Sequence, residues 1–235
     1  MQIIGVGLLF VVVMLGFMDR GTVTVSAFDP HAIGMILLGC LGAVMAGSHR
    51  RAFLTTFSSL RELIPGFGKV QRETMEINAE REKFFELWRN GKRAEAAALA
   101  ERSRFPSTQE LIRLVAARST AQTTAKVFSD LRDDASRALH SAGQNWEMMA
   151  KLGPSFGMVG TITGMIQLFK NLGTENANVG AAMSLALLAT LYGVAFGAGI
   201  AGPIGHYLAG LLDERLGVLD SCERTANDLI ASHGG

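Results

Sequence analysis

Charged residues are missing from four long stretches of this 235-residue sequence. The stretches contain no Asp, Glu, Lys or Arg and cover residues 2–18, 31–48, 152–169 and 176–207. About 20 apolar residues suffice for a helix to cross a bilayer. A buried helix of a soluble protein usually keeps one polar face, whereas the first two stretches are apolar all round. The pattern predicts an all-α integral membrane protein with four transmembrane helices.

Clustered metal ligands and recognisable catalytic motifs are also missing. The two cysteines, Cys40 and Cys222, and the five histidines are scattered, and no group of them has the spacing of metal ligands. No Gly-rich phosphate loop or Ser/His/Asp arrangement occurs, and the adjacent carboxylates of Asp133 and Asp134 point to different faces of a helix. The net charge of +1 argues against a nucleic-acid partner. We therefore expect no enzyme, cofactor or bound metal.

The basic residues that are present predict the orientation in the membrane. Of the 22 Lys and Arg residues, 18 lie between residues 49 and 151, and the two other connections between spans hold only Arg20 and Lys170. Because cytoplasmic loops carry the excess of basic residues, the middle region and both termini are predicted to lie in the cytoplasm. No Lys or Arg precedes the first apolar stretch and no A-x-A-like site follows it, so we expect this stretch to be retained rather than cleaved.

The middle region is predicted to be helical. Helices are expected from about Ala52 to Leu63, from Lys69 to Asn90 with a stop at Gly91, and over residues 92–102. Pro106 then opens a long helical run towards Trp146, with Ser107 as the expected N-cap. No alternation typical of strands is present.

Small residues recur at helical spacing in the third and fourth apolar stretches. Such stripes let the backbones of membrane helices approach closely. The predicted packing positions are Gly153, Gly157, Gly160 and Gly164 in the third stretch, and Ala182, Ala186, Gly193 and Gly197 in the fourth. These helices are expected to line the inside of an assembly, although a packing seam within one subunit would give the same stripes.

Threonine and proline share these two stretches. Thr161 lies seven residues after Pro154, on the same helix face, and Thr190 lies on the small-residue stripe of the fourth stretch. A threonine hydroxyl can bond its own helix or can serve as a ligand for an ion or a carboxylate. Pro154 and Pro203 interrupt the backbone hydrogen bonds, which membrane helices tolerate only beside protein or water. The combination favours an ion pathway.

No carboxylate lies within any of the four stretches. An ion-coupled membrane protein normally needs an ionisable carrier inside the membrane. If this chain helps to conduct ions, the acidic residue must come from a second polypeptide, so the sequence predicts a heteromeric channel.

Two motifs resemble a known family. LGPSFGMVGTITGMIQLF over residues 152–169, followed by AAMSLALLATLYGVAFGAGIAGPI over 181–204, resembles the third and fourth membrane helices of MotA-type stator subunits of bacterial flagellar motors. These subunits are members of the MotA/TolQ/ExbB family. The layout of four spans, with a large region between the second and third, is also similar to MotA, whereas TolQ and ExbB have three spans.

The apolar stretches and the basic residues, together with the resemblance, predict a domain organisation. Residues 1–48 would form a peripheral hairpin with spans at 2–18 and 31–48, and residues 49–151 a cytoplasmic helical region. Residues 152–212 would form the channel-forming hairpin with spans at 152–170 and 180–207, and residues 213–235 a cytoplasmic C-terminal helix. The expected location is the bacterial inner membrane.

The resemblance also implies partners and roles. It implies a pentamer of this chain around two copies of a MotB/ExbD/TolR-like single-span protein, whose membrane aspartate carries the ion. The positions that match the ion pathway or face the partner are Pro154, Thr161, Ala189, Thr190 and Pro203. Sodium-type relatives often have Thr-Thr where this chain has Ala189-Thr190. Transport of H⁺ is therefore expected, with Na⁺ as the alternative.

A charged cluster near Gly91 occupies the region in which flagellar stators contact the rotor. Its members are Arg89, Lys92, Arg93 and Glu95. The Leu-Glu pattern that the family shows after the glycine is absent, so a rotor contact here is a hypothesis that rests on position and charge.

Three functions fit these observations. The first is a subunit of an ion-driven rotary stator. The second is an energy transducer of the same family with another output, such as outer-membrane energisation or antiphage defence. The third is a membrane scaffold that conducts no ions, which would explain the glycines but not the joint placement of threonine and proline.

Overall fold

A computed structural model describes residues 30–64, 68–172 and 179–232 of the chain. Throughout these ranges the chain is helical apart from short turns, and no described residue forms a strand. The first predicted span, residues 2–18, lies outside the described residues, as does most of the loop after Asn171. The prediction of an all-α protein is confirmed.

Eight α-helices are described. They are α1 (Pro30–Gly47), α2 (Arg50–Ser58), α3 (Lys69–Arg89), α4 (Arg93–Arg102), α5 (Pro106–Ala116), α6 (Ala121–Asn171), α7 (Val179–Phe196) and α8 (Gly202–Ala231). A 3₁₀ turn, Ser59–Leu63, follows α2, and a π-helical turn, Gly197–Ala201, joins α7 to α8. The predicted C-terminal helix at 213–235 is the continuation of α8 as far as Ala231.

Some of these helices differ from the others in the length of their apolar segments. By length and composition, one described helical stretch, Ala186–Ala231, is long and apolar enough to cross a membrane, and Ala32–Gly47 is a shorter apolar helix. The number of spans therefore stays a prediction.

Two expectations about the helices between residues 103 and 146 are wrong. Ser107 is not the N-cap of its helix: Phe105 occupies that position without a capping side chain, and Pro106 is the first helical residue. Proline fits there because its missing N–H would be unpaired in any case. The run towards Trp146 is also not continuous, because α5 ends at Ala116 and Arg118 adopts a φ of 50° before α6 begins.

The stop predicted at Gly91 is present. This glycine has a φ of 74°, in the left-handed region that side chains other than glycine rarely adopt. It separates α3 from α4 and lets the two helices turn back on each other within three residues.

The described chain divides into two compact units. Unit 1 comprises the described residues within Met1–Phe57 and Ala142–Tyr207, and unit 2 those within Ser58–Ser141 and Leu208–Gly235. In unit 1, α1 packs against α7. In unit 2, α3, α4 and α5 pack on one another around an apolar core.

The core of unit 2 is aromatic and aliphatic. Phe84, Leu111, Phe128 and Cys222 are fully enclosed. Arg132 pairs with two acids of α8, and its Nη1 atom lies 2.7 Å from Asp220 Oδ1 and 2.6 Å from Glu223 Oε2. The hydrogen bond to Glu223 is the main reason that the pKa of Arg132 is raised. The guanidinium therefore stays charged and fastens α6 to α8.

Burial makes the Cys222 thiol a reporter on the integrity of unit 2. Desolvation raises its pKa from 9.0 to about 12, against a smaller opposing effect of Arg81. In a Cys40→Ala chain at about pH 8, we expect alkylation of Cys222 by N-ethylmaleimide to be slow until the unit unfolds, because only the thiolate reacts. Above about pH 9 the unfolded thiol ionises and the folded one does not, so unit 2 should lose stability as the pH rises towards 12.

Mass spectrometry of the alkylated chain measures this rate. The exposed thiol introduced by Ser232→Cys, in a chain that also carries Cys40→Ala and Cys222→Ala, provides the fast reference. Equal rates for the two thiols in the folded chain would contradict the enclosed position of Cys222.

Candidate functional site

Unit 1 brings α6 and α7 into backbone contact at glycines. A Cβ atom at Gly153 would lie 2.7 Å from the carbonyl oxygen of Gly193, and one at Gly197 would lie 2.6 Å from the carbonyl oxygen of Ala150. Real Cβ atoms do not approach oxygen this closely, so larger residues at these positions would force the helices apart. The contact places Gly153 and Gly193 at the closest approach, as small-residue stripes permit.

The contact continues along both helices. A Cβ atom at Gly157 would lie 3.0 Å from the carbonyl oxygen of Ala189, and one at Gly160 would overlap the Ala189 methyl group. Gly164, one turn further, is buried. Ala189 is 1% exposed, so its methyl group lies within the interface of α6 and α7 rather than on an open surface of the chain.

Two threonine hydroxyls meet across this interface. Thr161 Oγ1 and Thr190 Oγ1 form a hydrogen bond. Thr161 Oγ1 is also 3.1 Å from the carbonyl oxygen of Ala186 on the opposite helix and 3.2 Å from that of Gly157 on its own helix. Each hydroxyl carries one hydrogen. Both are satisfied when Thr190 donates to Thr161 and Thr161 donates to the Ala186 carbonyl.

Pro154 leaves a carbonyl group without its usual helical partner. Proline has no N–H, so the carbonyl of Ala150, four residues earlier, cannot be paired within α6. This oxygen lies against Gly197, and the Pro154 ring packs at the same place, with Cδ 2.8 Å from the position of a Gly197 Cβ. Gly197 begins the π-helical turn. This turn could not be predicted from the sequence, because its wider hydrogen-bond register depends on the neighbouring helix.

Pro203 lies in a different setting from Pro154. It is the second residue of α8, directly after the π-helical turn, and its side chain is exposed. The absent N–H falls where the helical register changes, so the proline costs little there. His206 follows one turn later and is exposed as well.

Within unit 1, α6 and α7 expose several large apolar side chains. Ile162 and Phe169 on α6 are 60% and 64% exposed, and Leu187 on α7 is 67% exposed. Such a surface fits lipid or other membrane helices.

The charged cluster near Gly91 is exposed and lies in unit 2. Lys92 Nζ is 3.2 Å from Glu95 Oε1, and the Arg93 guanidinium stacks 5.4 Å from the centre of the Trp88 ring. Arg89 is the last residue of α3. The four residues therefore share the α3–α4 turn, but nothing in their geometry assigns them a partner.

The glycine contact predicts a contrast between two substitutions. Gly193→Ala should lower the thermal stability of the purified chain, because the new methyl group meets the backbone of Gly153 at 2.5 Å. Gly199→Ala should leave the melting temperature unchanged or raise it, since no atom lies within 4 Å of its Cβ position and alanine favours helix. Circular dichroism during heating in detergent compares the two. Equal losses would contradict the close approach.

The threonine pair predicts an energetic coupling. Thr161→Val and Thr190→Val together should cost less than the sum of the single changes, with a coupling of about 0.6 kcal/mol, the average found for membrane hydrogen bonds. Unfolding in mixed detergent micelles measures the cycle. Thr163 is the control, because its hydroxyl bonds Gly160 in its own helix at 2.9 Å. Thr163→Val should be additive with Thr190→Val, and additivity within the Thr161–Thr190 cycle would refute the bond.

The chain is similar to known proteins in sequence and in fold. Residues 97–220, more than half of the chain, match the profile of the MotA/TolQ/ExbB proton channel family. Motility protein A of Aquifex aeolicus is 43% identical over 63 residues, which are 27% of this chain and 24% of that protein. Motility protein A of Cereibacter sphaeroides is 36% identical over 89 residues, 37% of this chain and 35% of that protein.

Two solved structures share the fold over nearly the whole chain. The flagellar MotAB stator complex from Bacillus subtilis has a chain that aligns with a TM-score of 0.76 at 18% identity, covering 97% of this chain and 88% of that one. The C. jejuni MotAB structure aligns with a TM-score of 0.74 at 15% identity, covering 97% and 91%. The sequence matches span about a third or less of each relative, while the fold extends across the chain. This chain belongs to the MotA/TolQ/ExbB proton channel family and within it is similar to MotA-type subunits.

Proposed function

We propose that this chain is the channel-forming subunit of an ion-driven rotary stator in the bacterial inner membrane. The observation that carries the proposal is the Thr161–Thr190 hydroxyl pair, which lies between α7 and residues 152–169 of α6, two glycine-packed segments that contain no carboxylate. The pair offers hydroxyl oxygens and neighbouring carbonyls in an apolar setting. The two hydroxyl groups cannot themselves take up a proton near neutral pH. They therefore serve as a binding site for a group that carries the ion.

The carrier comes from a second chain. We propose a single-span partner with a membrane aspartate, surrounded by a pentamer of this chain. The solved structures of similar fold are C. jejuni MotAB and the flagellar MotAB stator complex from Bacillus subtilis, which supports a MotB-like partner. The exposed apolar side chains of α6 and α7, such as Ile162 and Leu187, provide surface for such helices.

The proposed ion is H⁺. Ala189, next to Thr190, fills the space above Gly160 with a methyl group and adds no oxygen to the site. A sodium ion prefers several oxygen ligands, whereas a proton moves with the carboxylate and needs only a hydrogen-bond acceptor or donor. The alanine at position 189 thus supports H⁺ as the transported ion, with Na⁺ as the alternative.

A flagellar or similar motility output is favoured over other outputs of the family. The curated relatives matched by sequence are named Motility protein A in three bacteria. We place both termini and the α3–α4 turn in the cytoplasm, where Arg89, Lys92, Arg93 and Glu95 would meet a rotor protein. An energy transducer with another output would use the same channel chemistry, and a scaffold would use only the glycine contact.

Ion uptake into vesicles tests the proposal. The vesicles contain this chain together with the single-span protein encoded beside it, and a dye inside reports pH. Uptake should require both proteins and should fall about fivefold with Thr190→Val, the rate equivalent of one hydrogen bond of about 1 kcal/mol. Replacement of the partner's membrane Asp by Asn should abolish it.

Thr163→Val is the matched control and should leave uptake unchanged, because this hydroxyl bonds only within α6 among the described residues. Absence of uptake from an assembled, unplugged complex would refute the channel and leave the scaffold function. Uptake of Na⁺ without H⁺ would refute only the assignment of the ion.

A further inference from the structure

The helix α2 follows α1 after only two residues and is unusually basic. From Ser48 to Arg61 the chain carries three arginines and no Asp or Glu. Arg50 and Arg51 are exposed, and neither forms an ion pair with a described residue. Two guanidinium groups that form no ion pair with a described residue thus lie just beyond the end of the apolar helix α1.

One side of α2 is fastened to α6 by a buried polar network. Asn145 Nδ2 donates to Thr56 Oγ1 at 2.7 Å, and Trp146 Nε1 donates to the Thr56 carbonyl at 3.1 Å. Ser48 Oγ donates to Asn145 Oδ1 at 2.6 Å, and Thr56 is fully buried. Because these bonds hold both the start and the end of α2, the direction of its opposite face is fixed.

That opposite face combines charge with hydrocarbon. Arg50, Leu54 and Phe57 are spaced by four and three residues and therefore share one side of the helix. Leu54 is 68% exposed and Phe57 is 39% exposed. Phe57 is steadied by an edge contact with Phe53, with ring centres 5.1 Å apart. A face of this kind is costly in water and suits the boundary between headgroups and acyl chains.

We propose that this face of α2 binds anionic phospholipid headgroups, with Arg50 and Arg51 on the phosphates and Leu54 and Phe57 among the upper acyl chains. The proposal rests on membrane insertion of α1, which is part of the proposed function. A basic segment next to a membrane helix attracts anionic lipid through its positive charge. The exposed Leu54 and Phe57 on the same face favour lipid over an acidic protein segment.

Spin-labelled lipids test the proposal. The full chain is reconstituted into bilayers, and electron paramagnetic resonance measures the fraction of phosphatidylglycerol or phosphatidylcholine that the protein immobilises. The wild type should prefer phosphatidylglycerol by about two- to fivefold. Arg50→Gln with Arg51→Gln should remove most of that preference, and Arg50→Lys with Arg51→Lys should keep most of it, because the attraction follows charge.

Arg102→Gln with Arg224→Gln is the matched control. Both arginines are exposed and lie in unit 2, so the lipid preference should persist. Immobilised lipid with equal affinity for both headgroups would overturn this proposal alone. Loss of the complex with the single-span partner in the double Gln variant, at unchanged lipid preference, would reassign the face to a protein. No immobilised lipid of either kind would overturn membrane insertion as well.

Discussion

The contact on which unit 1 depends is the approach of the Gly153 and Gly193 backbones, each of which presents its carbonyl to the other glycine. In a membrane, apolar side chains gain little by leaving lipid for one another, so close van der Waals contact and weak Cα–H···O interactions must hold helices together. Only where both residues lack a side chain can the backbones come this near. The Thr161–Thr190 bond and the packing of Pro154 on Gly197 follow from that approach.

Much of this interface could be predicted from the sequence, because the residues that form each contact face are only a few positions apart along the chain. A glycine every three or four residues marks one face of a helix whatever its partner is. The stop at Gly91 is local in the same way, since a φ of 74° requires glycine. What could not be predicted depends on partners far along the chain. The π-helical turn is adjacent to Ala150, and the Asn145–Thr56 bond joins residues 89 positions apart.

The errors at Ser107 and Arg118 have a physical cause as well. Ser107 is 4% exposed and lies on the packed side of α5. Its position within the helix is therefore determined by burial and not by its ability to cap a helix. Arg118 follows the end of α5 with a φ of 50°, a conformation usually adopted by glycine. No neighbouring residue predicts that the helix ends there. In unit 2 the aromatic core around Phe84 and Phe128 outweighs such local preferences. In unit 1 the contact of α6 with α7 follows the glycine pattern of the sequence.

The hydrogens of the Thr161 and Thr190 hydroxyl groups can be arranged in more than one way. Two hydroxyls facing each other hold two hydrogens, and at any moment one points across the interface while the other points to a carbonyl. Reversal of the pair turns Thr190 from a donor to Thr161 into a donor to Gly157, whose oxygen lies 3.5 Å away. The site therefore has two orientations of unequal energy. A carboxylate that accepts a hydrogen bond from Thr190 favours one set of orientations, and a protonated carboxyl group that donates to it favours the other.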